Sequence, residues 1–306
     1  MMEDLTGRII RGIGGFYYVK TESGKEFSCK ARGIFRKDGT KPMVGDFCRI
    51  AEVEESDPDP EALPVGNVLE ILPRKNELLR PAVANVDQVF VVFALSDPEP
   101  NFSLIDTFLL RMELSDIPAV LICNKTDLDE DGQLENHIRV RFEKTEYPLY
   151  FVSVKELSAG EKTKDSQMIL SLLHGKCTAL AGPSGVGKSS LINLLQNKIK
   201  METGSISKKT SRGKHTTRHS ELIEVDEVTY VLDTPGFTAL GSEDLKREQI
   251  REGFPEIRKW EDSCRFAGCS HISEPDCMVK EKLAEGLIGQ ERYDSYVRMY
   301  QLSKNR

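Results

Sequence analysis

No run of apolar residues in this chain of 306 approaches the roughly 20 needed to cross a bilayer. The longest, Val89-Phe-Val-Val-Phe-Ala-Leu95, has the length of a buried strand, so no membrane partner is expected. Nor is a secretory leader expected: the start, Met1-Met-Glu-Asp-Leu-Thr6, is acidic and polar and does not resemble one. Cysteine is sparse and odd in number, seven in all. Four are scattered (Cys29, Cys48, Cys123, Cys177), and the other three fall late beside a histidine, which suggests metal rather than disulfides. These absences point to a cytoplasmic protein. Positive charge is also short: the net charge is -7 and the sequence pI about 5.5, which argues against nucleic-acid binding through the whole surface. A local basic patch exists nonetheless. Between Asn197 and His219 lie Lys198, Lys200, Lys208, Lys209, Arg212, Lys214 and Arg218 against a single acid, Glu202.

What is present, 39% hydrophobic and 30% charged residues, is an ordinary globular composition. The length suggests about two domains or a few small ones. The first seventy residues read as short strands: Gly7–Gly12, Gly15–Lys20, Glu26–Ala31, Val44–Ile50 and Asn67–Leu72. Five short strands without a helical pattern suit the five-stranded oligonucleotide-binding (OB-fold) barrel. Phe16, Tyr17, Tyr18, Phe35 and Arg36 either stack on RNA or fill this barrel. Pro73 to Pro81 reads as a linker. From residue 82 the texture turns α/β. Nearly continuous apolar runs at Val86–Leu95, Ile117–Cys123, Leu149–Val152 and Cys177–Ala181 alternate with helical patterns. Such runs mark parallel strands buried on both faces, in a doubly wound sheet whose ligands bind beyond the strand C-termini.

The stretch that organises the chain is Gly182-Pro183-Ser184-Gly185-Val186-Gly187-Lys188-Ser189, followed by Ser190. It fits the phosphate-loop pattern. Glycines let several backbone N–H groups turn inward on phosphate oxygens, and the helix that follows offers its positive end to the same anion. Lys188 is expected to reach the outer phosphates, and the Ser189 hydroxyl to ligate magnesium. A Gly-rich turn could match by chance, but the strand before and the helix after argue against that.

Asn124-Lys125-Thr126-Asp127 follows the second of these strands. A carboxylate there can accept the N1–H and N2 amino protons of guanine, a donor pair that adenine lacks. Sites built on such hydrogen bonds discriminate by about 10⁴–10⁵-fold. In isolation an Asn-Lys turn with a helix-capping Asp would look similar. Ser153-Val-Lys155, after the third strand, is expected to place a backbone N–H near the guanine oxygen. Asp233-Thr-Pro-Gly236 ends another strand, where Asp233 could hold magnesium through water and the Gly236 N–H could meet the terminal phosphate. In the basic loop Gly213-Lys-His215-Thr-Thr217, Thr217 could close over magnesium only when the third phosphate is present. Phe237 stands where many GTPases carry a water-orienting Gln. His215 is the candidate replacement, since imidazole titrates near neutrality; an exposed loop histidine is the alternative.

Cys264, Cys269, His271 and Cys277 supply three thiolates and one imidazole at close spacing, the ligand set of a closed tetrahedral zinc site. The segment around them has few large apolar residues, so a structural metal is expected to help fold it. Ser242–Gly253 and Gln290–Ser303 read as helices. Arg292, Tyr293, Tyr296, Arg298 and Tyr300 could meet RNA or simply pack the last helix.

The base-reading segment at 124 precedes the phosphate loop at 182, the reverse of the common order. This permuted order, the amino-terminal barrel and the late Cys/His cluster resemble the ribosome-small-subunit-dependent GTPase A family (RsgA, also called YjeQ or YloQ). The resemblance covers essentially the whole chain. It implies an OB-fold barrel over residues 1–72, a linker over 73–81, a circularly permuted phosphate-loop GTPase domain over 82–240 and a helical zinc-binding domain over 241–306. It further implies a cytoplasmic GTP hydrolase that binds the small ribosomal subunit and its rRNA late in assembly and leaves as GDP forms. A monomer is expected. Nucleotide would contact Asn124, Lys125, Thr126, Asp127, Ser153, Gly182, Pro183, Ser184, Gly185, Val186, Gly187, Lys188, Ser189, Ser190, Asp233 and Gly236. Magnesium would sit with GTP on Ser189 and Thr217, and one structural zinc on the late cluster. Lys188, Thr217 and His215, where the family's proposed catalytic histidine falls, would carry the chemistry. Arg218 replaces a frequent third threonine and Val154 a usual Ala; neither removes a required group. Two rivals remain: a GTPase serving another RNA process such as RNA modification, and a non-catalytic RNA-binding module that uses nucleotide only for stability.

Overall fold

The structure is a computed structural model that describes residues 4–31, 41–53, 62–79, 82–159, 163–203, 221–233 and 245–303. The chain divides into two units. One comprises Met1–Asp87, Leu173–Ala179 and Leu195–Pro235, and the other Gln88–Leu172, Leu180–Leu194 and Gly236–Arg306.

In the first unit, β1 (Leu5–Ile13), β2 (Phe16–Thr21), β3 (Glu26–Ala31), β4 (Phe47–Glu52) and β5 (Val65–Ile71) close into a barrel in the order β1-β2-β3-β5-β4. Alternation decides the core, because successive side chains point to opposite faces of a strand. Ile9, Val19, Phe27, Cys29, Cys48, Ile50 and Val68 point inward and are fully buried. Burial pushes the Cys29 and Cys48 thiols up to about 12, so both act as small apolar residues. Of the aromatics left open by the sequence, Tyr17 packs on this core. Phe16 is exposed with the Lys30 ammonium 5.1 Å from its ring, and Tyr18 carries the Arg11 guanidinium at 4.0 Å. Phe35 and Arg36 lie outside the described residues.

The stretch read as a linker is structured where it is described. Strand β6 (Glu77–Leu79) pairs with β7 (Ala82–Ala84), and Val83 bridges to Val44 beside the barrel. Arg74 grips the fully buried Asp46 carboxylate at 2.7 and 2.9 Å. Leu78 and Val83 are buried, and a free linker would leave that apolar surface wet.

A six-stranded sheet runs β10-β9-β8-β11-β13-β12, made of β8 (Gln88–Ala94), β9 (Ala119–Asn124), β10 (Leu149–Val152), β11 (Cys177–Ala181), β12 (Leu222–Glu224) and β13 (Tyr230–Asp233). β8, β9 and β10 are parallel, and every residue of β8 and β9 is buried, as the apolar runs between Gln88 and Asn124 at their ends require. In the second unit, helix α1 (Phe102–Leu114) follows β8, its first turn capped by the Asn101 side chain accepting from the Leu104 N–H at 3.1 Å. Helix α2 (Gln133–Phe142) follows β9 after a single 3-10 turn, Thr126–Leu128. Helices α3 (Val154–Ser158) and α4 (Lys164–Leu173) follow β10, and α5 (Lys188–Thr203) leaves the phosphate loop. No helix among the described residues is long and apolar enough to cross a membrane.

Four helices end the chain: α6 (Arg247–Glu252), α7 (Pro255–Glu261), α8 (Met278–Ala284) and α9 (Gln290–Leu302). Within the span expected to be helical from 242, the described helix begins at 247. The apolar poverty read from the sequence around the metal-ligand cluster is offset from elsewhere. Phe254, Ile257, Val279, Tyr296 and Met299 close a core together with Leu110 from α1. A Cβ added at Gly253 would lie 2.5 Å from Leu110 Cγ, so α6 ends in close contact with α1. Arg292 and Tyr296, left open as RNA contacts, are fully buried and pack instead. Asp106 of α1 accepts from Arg292 Nη1 at 2.6 Å, from Arg141 Nη2 at 2.7 Å and from Ser295 Oγ at 2.5 Å. Arg292 Nε also donates to Glu256 at 2.7 Å. Burial works against the Arg292 charge, but Glu256 and Asp106 outweigh it and hold the guanidinium ionised.

Candidate nucleotide site and metal centre

The phosphate loop leaves β11 with Gly182 at φ +141° and reaches α5 through Gly187 at φ +97°. Both glycines are sterically required. A Cβ at Gly182 would lie 2.0 Å from the Val92 carbonyl oxygen, and one at Gly187 would lie 2.3 Å from Asn124 Nδ2. The loop therefore curls tightly on its way into the N-terminal turn of α5. Backbone N–H groups at such a terminus have no partner inside the helix and favour an anion. Lys188 folds back over the loop, its Nζ donating to the Gly182 and Pro183 carbonyls at 2.8 and 2.7 Å. From there it can swing to phosphate oxygens. Ser184, Gly185, Ser189 and Ser190 are exposed, and Val186 is buried under the loop.

Asn124 ends β9 almost fully buried, and both ends of its amide are spent on protein. Nδ2 donates to the Val186 carbonyl at 2.8 Å, and Oδ1 accepts from the Val154 N–H at 3.1 Å. Of the two tasks expected of it, contact with the base and with neighbouring loops, the geometry provides the second. One side chain thus joins the phosphate loop, the base-reading turn and the segment after β10.

Lys125 adopts the left-handed region at φ +65°, and its Nζ bonds the Asp97 carbonyl. Asp97, 28 residues away, carries no local signal that would mark it as a partner. Thr126 opens the 3-10 turn that positions Asp127. Asp127 accepts from Ser153 Oγ at 2.7 Å on one oxygen and from Lys155 Nζ at 3.1 Å on the other. Burial works against its ionisation, but these bonds outweigh it and hold the carboxyl below its usual range. A carboxylate has about four lone-pair sites, so acceptor capacity remains for two parallel donors of a purine edge. Ser153 also caps α3 by accepting from the Glu156 N–H at 3.2 Å. Sequence reasoning counted Ser153 as a site residue but not Lys155, the direct ion partner of Asp127.

The terminal-phosphate candidates are less described. Asp233 ends β13. His215, Thr217 and Gly236 lie outside the described residues.

The late cluster assembles as expected. The ligand atoms of Cys264, Cys269, His271 and Cys277 all lie within 4.8 Å of one another. Cys264 Sγ and Cys277 Sγ are 3.9 Å apart, and each is 3.6 Å from His271 Nδ1. A tetrahedral cation with metal–sulfur bonds of about 2.3 Å and metal–nitrogen bonds of about 2.0–2.1 Å sets edges of about 3.8 and 3.6 Å. Cys264, His271 and Cys277 thus stand at the edge lengths of a small tetrahedral metal ion, and Cys269 supplies the fourth donor within the same cluster. Left among neutral thiols, Cys269 is pushed up to about 12 by burial and then by Cys277, so a cation is what would make this set anionic. The loop is braced from outside. Glu274 accepts from the Ser270 N–H and Oγ, each at 2.8 Å, and from the Ile272 and Ser273 N–H groups, each at 3.2 Å. These bonds hold its carboxyl down at about 2 against the opposing effect of burial. Tyr293 and Tyr296 donate to the His271 and Ser270 carbonyls at 2.6 and 2.8 Å.

With this geometry in hand, similarity to known proteins can be read. The RsgA GTPase family model matches residues 71–243, and the RsgA N-terminal domain model matches residues 6–57. The small ribosomal subunit biogenesis GTPase RsgA of Agathobacter rectalis is 47% identical, covering 99% of both chains. Its namesake from Caldanaerobacter subterraneus subsp. tengcongensis is 46% identical over 97% of this chain and 95% of the relative. Among solved structures, YloQ, described as a circularly permuted GTPase, superposes with a TM-score of 0.75 at 36% identity, covering 98% of this chain and 95% of its own. YjeQ from Thermotoga maritima superposes with a TM-score of 0.79 at 31% identity, covering 98% of each chain. The family model spans more than half of the chain and these relatives match it over nearly their full length, so the chain belongs to the RsgA GTPase family of GTP hydrolases.

Proposed function

We propose that this chain binds the small ribosomal subunit and its rRNA late in maturation, hydrolyses GTP to GDP and phosphate when the subunit stimulates it, and departs as GDP forms. The observation that carries the reading is identity of 42–47%, over nearly the full length, to relatives named for small ribosomal subunit biogenesis. Asp127 reads guanine, with Asn124 fixing its turn to the phosphate loop. The loop from Gly182 to Ser190 cradles the phosphates, and Lys188 neutralises charge that builds on the outer oxygens. Magnesium bound with GTP would be held by Ser189 and Thr217 directly and by Asp233 through water, and would offset phosphate charge. The Gly236 N–H would meet the terminal phosphate, and His215 would orient the attacking water where Phe237 cannot.

Functionally the chain divides into the barrel (1–72), a connector (73–81), the permuted GTPase domain (82–240) and a zinc-binding module (241–306). The barrel offers Phe16, Tyr18 and their flanking cations to rRNA. The metal of the module is zinc, since three thiolates and an imidazole at tetrahedral spacing select it over harder cations. The protein works as a cytoplasmic monomer. GTP turnover measured with and without purified small subunits tests the whole. Stimulation by small subunits, absent with large subunits or tRNA and lost in Lys188→Ala, is the expected result. Equal turnover in every case would return the activity to another RNA process.

A further inference from the structure

His271 is fully buried and turns Nδ1 toward the Cys264 and Cys277 thiols. Its other ring nitrogen, Nε2, is buried and has no hydrogen-bond partner among the described residues. The Glu261 carboxylate faces it, with Oε2 at 3.9 Å. That oxygen is held in place by Arg251 Nη2 at 2.9 Å. Glu261 is also anchored through its backbone, because its carbonyl accepts from the N–H of the ligand Cys264 at 3.1 Å. The carboxylate thus stands at the end of α7, fixed on two sides and facing an orphaned ring nitrogen.

We propose that Glu261 is a positioning residue of the metal centre, accepting a hydrogen bond from His271 Nε2–H when zinc occupies Nδ1. The inference rests on the zinc reading of the cluster. A metal on Nδ1 requires the ring proton to sit on Nε2, where a buried donor without a partner is destabilising. A shift of less than one ångström along the line to Glu261 supplies that partner. The carboxylate then fixes the tautomer, orients the ring and raises its basicity as a ligand. Loss of such an outer partner typically weakens metal binding by about 10- to 100-fold. Arg251 steadies the acceptor from its other side.

The test uses the full-length chain and zinc alone, titrated in competition with a chromophoric chelator. Glu261→Ala is expected to bind zinc about 10- to 100-fold more weakly, and Glu261→Gln, which keeps an acceptor oxygen, to recover part of the loss. In the zinc-loaded wild type, the His271 Nε2–H should give a slowly exchanging, downfield imidazole proton resonance that vanishes in Glu261→Ala and moves in Glu261→Gln. Arg251→Ala should keep the resonance, because the acceptor remains. The sole tryptophan, Trp260, packs on the adjoining core, and its emission reports whether α7 stays in place. If Glu261→Ala does not fold, Glu261→Gln carries both measurements. Wild-type zinc affinity in the variant, with the ring proton still protected, overturns the inference. A wild-type chain that takes up no zinc overturns the zinc reading itself.

Discussion

The side-chain amide of Asn124 donates to the main-chain carbonyl of Val186 at 2.8 Å, so the base-reading turn and the phosphate loop are held by one buried bond. Asn124→Ala removes that bond and the one from the Val154 N–H, leaving two backbone groups without partners. It is expected to lower stability by about 2 kcal/mol and to weaken GTP and GDP alike, as nucleotide titration and urea unfolding would reveal.

Asp127→Asn should behave differently. The amide can no longer accept two guanine donors, so preference for guanine over xanthine nucleotides should fall by several orders of magnitude, with a ceiling of about 10⁴–10⁵. The fold should survive, because the Ser153 hydroxyl can still bond the side chain. Competition binding with GTP, XTP and ATP gives the answer, and an unchanged preference would remove Asp127 from its assigned role.

Gly187→Ala tests the closeness of the same two segments. Its Cβ would meet Asn124 Nδ2 at 2.3 Å, and φ of +97° is already unfavourable for any side chain. Asn124 cannot retreat, since both ends of its amide are engaged. Strain of about 1–3 kcal/mol is expected, together with loss of measurable nucleotide binding while the circular-dichroism spectrum stays native.

Arg292→Met removes the cation shared by Asp106 and Glu256 in a dry interior. Breaking one side of a buried ionic cluster costs about 3–5 kcal/mol. Chemical unfolding of the full chain should show a loss of that size, whereas Arg298→Met in the same helix should change little.

Glu274 supplies a pH signature. Its carboxyl is held down at about 2 by bonds to the metal loop, against an ordinary value near 4.5. A depressed folded value means that the stabilisation is complete above about pH 4.5 and disappears as pH falls toward about 2. Wild type should therefore exceed Glu274→Gln by about 1–2 kcal/mol at neutral pH, and the two stability curves should converge below pH 4.5. Curves that stay parallel would refute the assignment.

Much of this was legible before any coordinates. Short alternating strands announced the barrel, and unbroken apolar runs announced the parallel sheet, because local periodicity reports which faces are buried. The phosphate loop, the base-reading turn and the Cys/His set were legible because their chemistry demands particular residues at fixed spacing. Partners distant in sequence were not. Nothing local tells that Lys125 meets Asp97, that Lys155 pairs with Asp127, or that Asp106 gathers Arg141 and Arg292. Arg292 and Tyr296 look like surface residues in composition, and only the packing of α9 on α1 turns them inward. The ribbon at Glu77–Leu79 was hidden by its flanking prolines, which read as breaks although the pairing lies between them and just beyond.

Leu110 and Asp106 lie on a helix of the nucleotide-binding sheet yet complete the interior of the carboxy-terminal helices. Severing the chain near residue 240 would leave an oily stripe facing water on one fragment and would part Asp106 from Arg292, leaving the first to Arg141 alone and the second to Glu256 alone. Neither piece would be a natural building block for recombination. A lineage that lost its cysteines would have to keep the helices that carried them.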